Sequence, residues 1–124
     1  MGNTPFTCEY KYDGERIQIH VISKKRYLSG DLKAIKAFSR NAEENTSEYL
    51  SQLYQDVCTS IGSTDSCILE GEVVAMNKEG EFLPFQQLKT INNNKLVCLF
   101  AFDLLYCDGT TMVEVSNDDY NIYI

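Results

Sequence analysis

The sequence contains no run of about 18 apolar residues, which excludes a hydrophobic membrane-spanning helix. The opening Met1-Gly2-Asn3-Thr4-Pro5 has neither a basic stretch nor an apolar run, so no secretory signal is expected. No C-x-x-C occurs among Cys8, Cys58, Cys67, Cys98 and Cys107, and their number is odd. A disulfide framework or zinc site is therefore not expected; reduced, half-buried thiols in a cytosolic or nuclear protein are. A basic surplus is also missing. There are 11 Lys+Arg against 18 Asp+Glu, a net charge of −7, which argues against a stand-alone nucleic-acid module. Internal repeats and long linkers are absent. What is present is a globular composition: 124 residues, 44% hydrophobic, enough for one domain and too apolar for disorder.

Periodicity divides the chain into strands and one good helix. Phe6–Tyr12 alternates and is aromatic-rich, predicting a strand, and Asp13-Gly14 is a hairpin signal. Residues 15–23 return with Ile17, Ile19 and Val21 on one face and Arg16, Gln18 and His20 on the other. A turn is expected at Ser29-Gly30-Asp31 and a short strand at 34–39. Leu50, Leu53, Val57 and Ile61 form one stripe of a helix over 46–61, with Asn45 and Glu48 resembling a capping box and Gly62 as the stop. Strands are expected at 67–76 and 96–106, the latter apolar on both faces and so central. A turn at Lys78-Glu79-Gly80 and a short helix at 85–91 lie between them. The class is α+β, with about six strands, mostly antiparallel, and flanking helices.

Four stretches carry chemistry. In Lys11-Tyr12-Asp13-Gly14-Glu15-Arg16, a lysine ends a strand on the face of Glu9, and a glycine follows where a ligand can approach the backbone. Lys11 is either a nucleophile or an exposed turn residue. Nucleophilic use requires its neutral form, and burial, Arg16 or a bound metal can supply the environment. Glu70-Gly71-Glu72 places two carboxylates on one strand face, suited to Mg²⁺ or simply to solvent. Phe38-Ser39-Arg40-Asn41 offers an arginine that can fork onto phosphate or carboxylate. Phe100-Ala101-Phe102-Asp103 offers two aromatics, for stacking a base or for the core. A basic cluster of Lys24, Lys25, Arg26, Lys33 and Lys36 either touches a phosphate backbone or is a solvated insertion.

In order, these blocks resemble the ATP-dependent DNA ligases, most closely the eukaryotic DNA ligase I-like branch. Glu9 to His20 looks like motif I, Cys67 to Ala75 like motif III, and Leu99 to Tyr106 with Asp108-Gly109 like motif IIIa. Phe38 to Asn41 with Glu44-Asn45-Thr46, and Pro84 to Leu88, resemble the connecting segments. The resemblance implies a partial nucleotidyltransferase (ATP-grasp-like) adenylation domain that uses ATP and Mg²⁺. Lys11 would take AMP as a phosphoramidate. Glu9 and the Tyr10 backbone would read adenine, and Phe102 would stack on it. Arg16 and Arg40 would hold the ribose and phosphates. Glu72 would bind the ribose or the metal, while Glu70 stands where many members have Asp. AMP would pass to a 5′-phosphate in nicked double-stranded DNA, in replication, repair and recombination, and the 3′-hydroxyl would displace it.

The family continues with a motif IV carboxylate, a motif V lysine pair and an OB-fold, and none is visible after Gly109. The expectation is therefore a partial adenylation domain over 1–115 and a divergent tail over 116–124. The OB-fold and the branch's N-terminal DNA-binding domain would be absent. Such a fragment would bind DNA weakly and, by resemblance, act in the nucleus. The alternatives are a truncated non-catalytic remnant, or an RNA ligase or mRNA capping enzyme.

Overall fold

Residues 14–88 and 95–111 are described by the computed structural model. The expected strand over 6–12, the Asp13 half of its turn and the 116–124 tail lie outside the described residues.

Alternation of branched apolar and polar side chains makes β1, Glu15–Val21, whose Ile17, Ile19 and Val21 are buried. It pairs antiparallel with β2, Ile35–Ser39, and β4, Cys67–Asn77. The two-residue β3, Glu44–Asn45, extends the sheet beyond β2. Beyond β4 come β5, Lys95–Cys107, and β6, Thr110–Thr111, joined by the tight turn at Asp108-Gly109. The described sheet thus has six antiparallel strands in the order β3-β2-β1-β4-β5-β6.

The core lies on one face of this sheet. Leu50, Leu53 and Val57 of α2, Leu50–Ser60, form the expected stripe and pack with Ile17, Ile19, Leu69 and Val73. Gly62, at φ +61, follows the helix where a left-handed residue ends it. Gly71 is demanded by contact rather than by conformation. A Cβ there would stand 2.6 Å from the Phe100 carbonyl oxygen and 2.7 Å from Leu99 Cδ1, so only glycine lets β4 and β5 meet.

Several expectations need correction. Helix α2 begins at Leu50, later than residue 46, and Asn45 does not cap it. The capping position is Tyr49, with no side-chain hydrogen bond. Asn45 Oδ1 instead accepts the Ser47 N–H at 3.0 Å, a local Asx turn that competes with helix initiation. The basic stretch, for which no helix was expected, contains a short helix α1, Lys24–Leu28, capped by Ser23. Two of its cations serve the fold: Lys24 donates to the Gly62 carbonyl, and Arg26 pairs with Asp31 at 2.6 Å. The described part of the helix expected over 85–91 is a single 3₁₀ turn, Phe85–Leu88.

Strand β5 is neither central nor buried on both faces. Leu99, Ala101 and Leu104 face the core, while Leu96 is 51% exposed and Phe102 42%. Among the described residues, β4 flanks it along one side, and β6 pairs on the other only with Tyr106 and Cys107.

Candidate functional site

The sheet face opposite α2 carries the polar side chains of β1 and β4. Strand parity sends Arg16, Gln18 and His20 there from β1, and Glu70 and Glu72 from β4. The β1–β4 register sets Arg16 against Glu72 and Gln18 against Glu70. Arg16 reaches diagonally past Glu72: its Nη2 donates to Glu70 Oε2 at 3.2 Å. Gln18 Nε2 donates to the other oxygen, Glu70 Oε1, at 2.9 Å. Glu70, whose part the sequence left open, is therefore the anchor of this face. Glu72 makes no hydrogen bond or ion pair among the described residues.

Burial holds the Glu72 carboxyl above its ordinary value of 4.5, Arg16 opposes this, and Glu15 adds to it. A half-buried carboxylate with no hydrogen bond among the described residues fits the role of one protein ligand to a divalent cation, because Mg²⁺ takes one or two carboxylates and fills its shell with phosphate and water. No group of three His, Cys, Asp or Glu able to hold a metal occurs among the described residues.

A β-bulge presents Phe102. Glu70 opposes Asp103 and Gly71 opposes Ala101, which leaves Phe102 as the extra residue on β5. The Arg16 guanidinium stands over its ring, 5.1 Å from the centroid. The ring keeps exposed area on which a planar group can lie.

Toward β2 this face deepens into a cavity of about 490 Å³, lined by Arg16, Gln18, His20, Phe38, Arg40 and Glu70 among others. Arg40 enters from the turn after β2, a turn that includes Ala42 at φ 63. It makes no ion pair among the described residues. The structure thus brings together Arg16, Arg40, Glu72 and Phe102 around one open face. Glu9, Tyr10 and Lys11 lie outside the described residues. Gln18 and His20 were not singled out from the sequence as site residues. Their shared parity with Arg16 was the available signal.

Glu15, next to Gly14, is held on the helix side. The Tyr49 hydroxyl donates to Glu15 Oε2 at 2.7 Å, and Asn45 Nδ2 donates to Oε1 at 3.4 Å. Burial first, and this bond second, push the Tyr49 hydroxyl well above its usual pKa. The start of β1 is thereby tied to the start of α2.

Comparison with known proteins shows the family and the fold. A family model described as "ATP dependent DNA ligase domain" matches residues 1–120. DNA ligase 1 of Drosophila melanogaster is 39% identical over 122 residues, covering 91% of this chain and 15% of the relative. DNA ligase 1 of Arabidopsis thaliana is 41% identical over 123 residues, covering 88% of this chain and 14% of the relative. Among solved structures, the ligase domain of M. tuberculosis LigD superposes with a TM-score of 0.65 at 26% identity, covering 90% of this chain and 32% of that one. A mycobacterial DNA ligase D complexed with ATP and MES gives the same TM-score and identity, covering 91% of this chain and 33% of that one. The chain therefore spans about 15% of the length of its curated relatives.

Proposed function

The chain belongs to the ATP-dependent DNA ligase family, and from that premise we propose that it forms the nucleotide-binding, self-adenylating part of a nick-sealing enzyme. Residues 1–115 are read as part of the adenylation domain. The Lys11 amine attacks the α-phosphorus of ATP. A P–N bond forms, the P–O bond to pyrophosphate breaks, and the amine loses its proton. Glu9 and the Tyr10 backbone read the adenine edge, and Phe102 stacks on its face. Arg16 and Arg40 neutralise the ribose-phosphate region, which suits a reaction governed by positioning and charge. Glu72 takes the ribose or Mg²⁺, and Mg²⁺ when bound supplies further neutralisation of phosphate charge.

In the longer relatives' context, AMP then passes to the 5′-phosphate of nicked double-stranded DNA, and the 3′-hydroxyl displaces it. The nucleus is the proposed place of action, by analogy with the eukaryotic relatives. No helix among the described residues is long and apolar enough to cross a membrane. The relatives above are DNA ligases, so the RNA-ligase, capping-enzyme and non-catalytic readings are not favoured.

The observation that carries the proposal is Arg16 at the junction of Glu70, Glu72 and the exposed ring of Phe102. Titration calorimetry with ATP tests it. Phe102→Ala and Arg16→Ala are each expected to weaken binding about ten-fold, the loss of one stacking or charge-assisted contact. Unchanged affinity in both variants would contradict the proposal.

A further inference from the structure

Four side chains on the open face form one connected line. His20 Nε2 lies 2.6 Å from Gln18 Oε1. Gln18 Nε2 donates to Glu70 Oε1 at 2.9 Å, and Arg16 Nη2 donates to Glu70 Oε2 at 3.2 Å. The line starts on the Phe38 ring, edge-on to His20 with centroids 4.9 Å apart, and ends with Arg16 over Phe102.

We propose that Gln18 and His20 are positioning residues of the nucleotide site, which fix Glu70 and through it decide where the Arg16 guanidinium stands. The inference rests on the ATP-site reading above and gives a role to two residues of the motif I stretch that were left without one.

Three observations support it. First, Arg16 faces Glu72 in register yet pairs with Glu70, two residue pairs along on the same face. Register alone would favour the nearer carboxylate. The Gln18 amide selects the farther one by holding one Glu70 oxygen and leaving the other turned toward Arg16. Glu72 is thereby kept clear of an ion pair.

Second, the chemistry of the line leaves one consistent proton arrangement. An ionised carboxylate only accepts, so the amide must present its N–H₂ to Glu70 and its oxygen to His20. His20 must then donate from Nε2, with Nδ1 as the remaining acceptor in the neutral ring. Each member orients the next. Partial burial of the ring favours this neutral form, lowering its pKa.

Third, the Arg16 side chain is 48% exposed. An ion pair at that exposure adds little to stability. Its value lies in geometry, since the orientation of a forked guanidinium sets which phosphate or sugar oxygens it meets.

The test uses the full chain and two independent readouts. One is the dependence of self-adenylation on ATP concentration, with α-phosphate-labelled ATP and Mg²⁺. The other is the side-chain ¹⁵N spectrum of Arg16 without nucleotide, which reports whether the guanidinium is held or rotates freely. Gln18→Leu is expected to free Arg16 and raise KM for ATP about ten-fold, with the rate at saturation within about two-fold, the pattern of lost ground-state binding. His20→Phe keeps the ring against Phe38 but removes the donor, and a rise of about three-fold is expected. His20→Gln restores a donor and should return KM toward wild type. Should Gln18→Leu fail to fold, Gln18→Glu serves, because its carboxylate repels Glu70.

Wild-type KM and a wild-type Arg16 spectrum in Gln18→Leu and His20→Phe would overturn the inference. If the wild-type chain takes no label while Arg16 is still released by Gln18→Leu, the ATP reading fails and the positioning role stands. If neither readout responds, both fall.

Discussion

Glu72 shows how a single position trades stability for availability. Its carboxyl is raised above 4.5 chiefly by burial, which the nearby Arg16 charge only partly offsets. The folded chain then holds the Glu72 proton more tightly than the unfolded chain does. Between the ordinary value and the raised one, stability falls as pH rises, so at neutral pH the charge works against folding. Glu72→Gln is therefore expected to melt at or above the wild-type temperature at pH 7, with the difference fading as pH drops below 4.5. The same variant should lose Mg²⁺-dependent labelling. Wild-type labelling should itself fail on the acid side at a pH above 4.5, where the carboxyl takes its proton. Paired melting curves and labelling assays check this, and a clear drop in melting temperature for Glu72→Gln at pH 7 would count against it. That Arg16 and Glu72 would share a sheet face was legible in the sequence, because strand parity sets it. The preference of Arg16 for Glu70 was not legible, because it depends on the β1–β4 register and on an amide two residues away.

At the scale of elements, legibility followed local periodicity. The alternation of Ile17, Ile19 and Val21 and the helical stripe of Leu50, Leu53 and Val57 are burial patterns written in the sequence itself, and both elements formed with those faces buried, although the helix starts at Leu50 rather than at 46. Strand β5 was misread because composition cannot distinguish an apolar side chain in the core from one displayed on a binding face. Phe102 is apolar, bulged and exposed. Helix α1 was missed because its five residues have no apolar stripe and are held from afar: Asp65 accepts from the Lys25 backbone N–H and the Ser23 hydroxyl. Asn45 was misread as a cap because Asx turns and caps share the same residue type. Its actual partners are Ser47, Tyr49 and Glu15. Asn45→Ala is accordingly expected to cost about 1–2 kcal/mol through lost turn and Glu15 contacts, with helix content unchanged. Urea denaturation with far-UV circular dichroism separates the cases; fraying of α2 would show that Asn45 acts as a cap after all.

The whole molecule divides its one described sheet between two tasks. One face is closed by α2 and supplies the core. The other, free of described helices, presents Arg16, Glu70, Glu72 and Phe102 beside the Arg40 cavity. Two arginines, Arg16 and Arg40, are thus gathered locally on a chain whose net charge is −7. That arrangement suits capture of a nucleotide in a defined pocket better than broad attraction to a nucleic-acid backbone. Lys11 is the proposed nucleophile, and covalent chemistry at Lys11 is the central claim. The most direct test is to incubate the purified chain with α-phosphate-labelled ATP and Mg²⁺ and map the label by mass spectrometry, with Lys11→Ala and GTP as controls. The expected result is AMP on Lys11, dependent on ATP and lost in Lys11→Ala. A folded chain that takes up no label, or a Lys11→Ala chain that labels as well as wild type, would contradict the account.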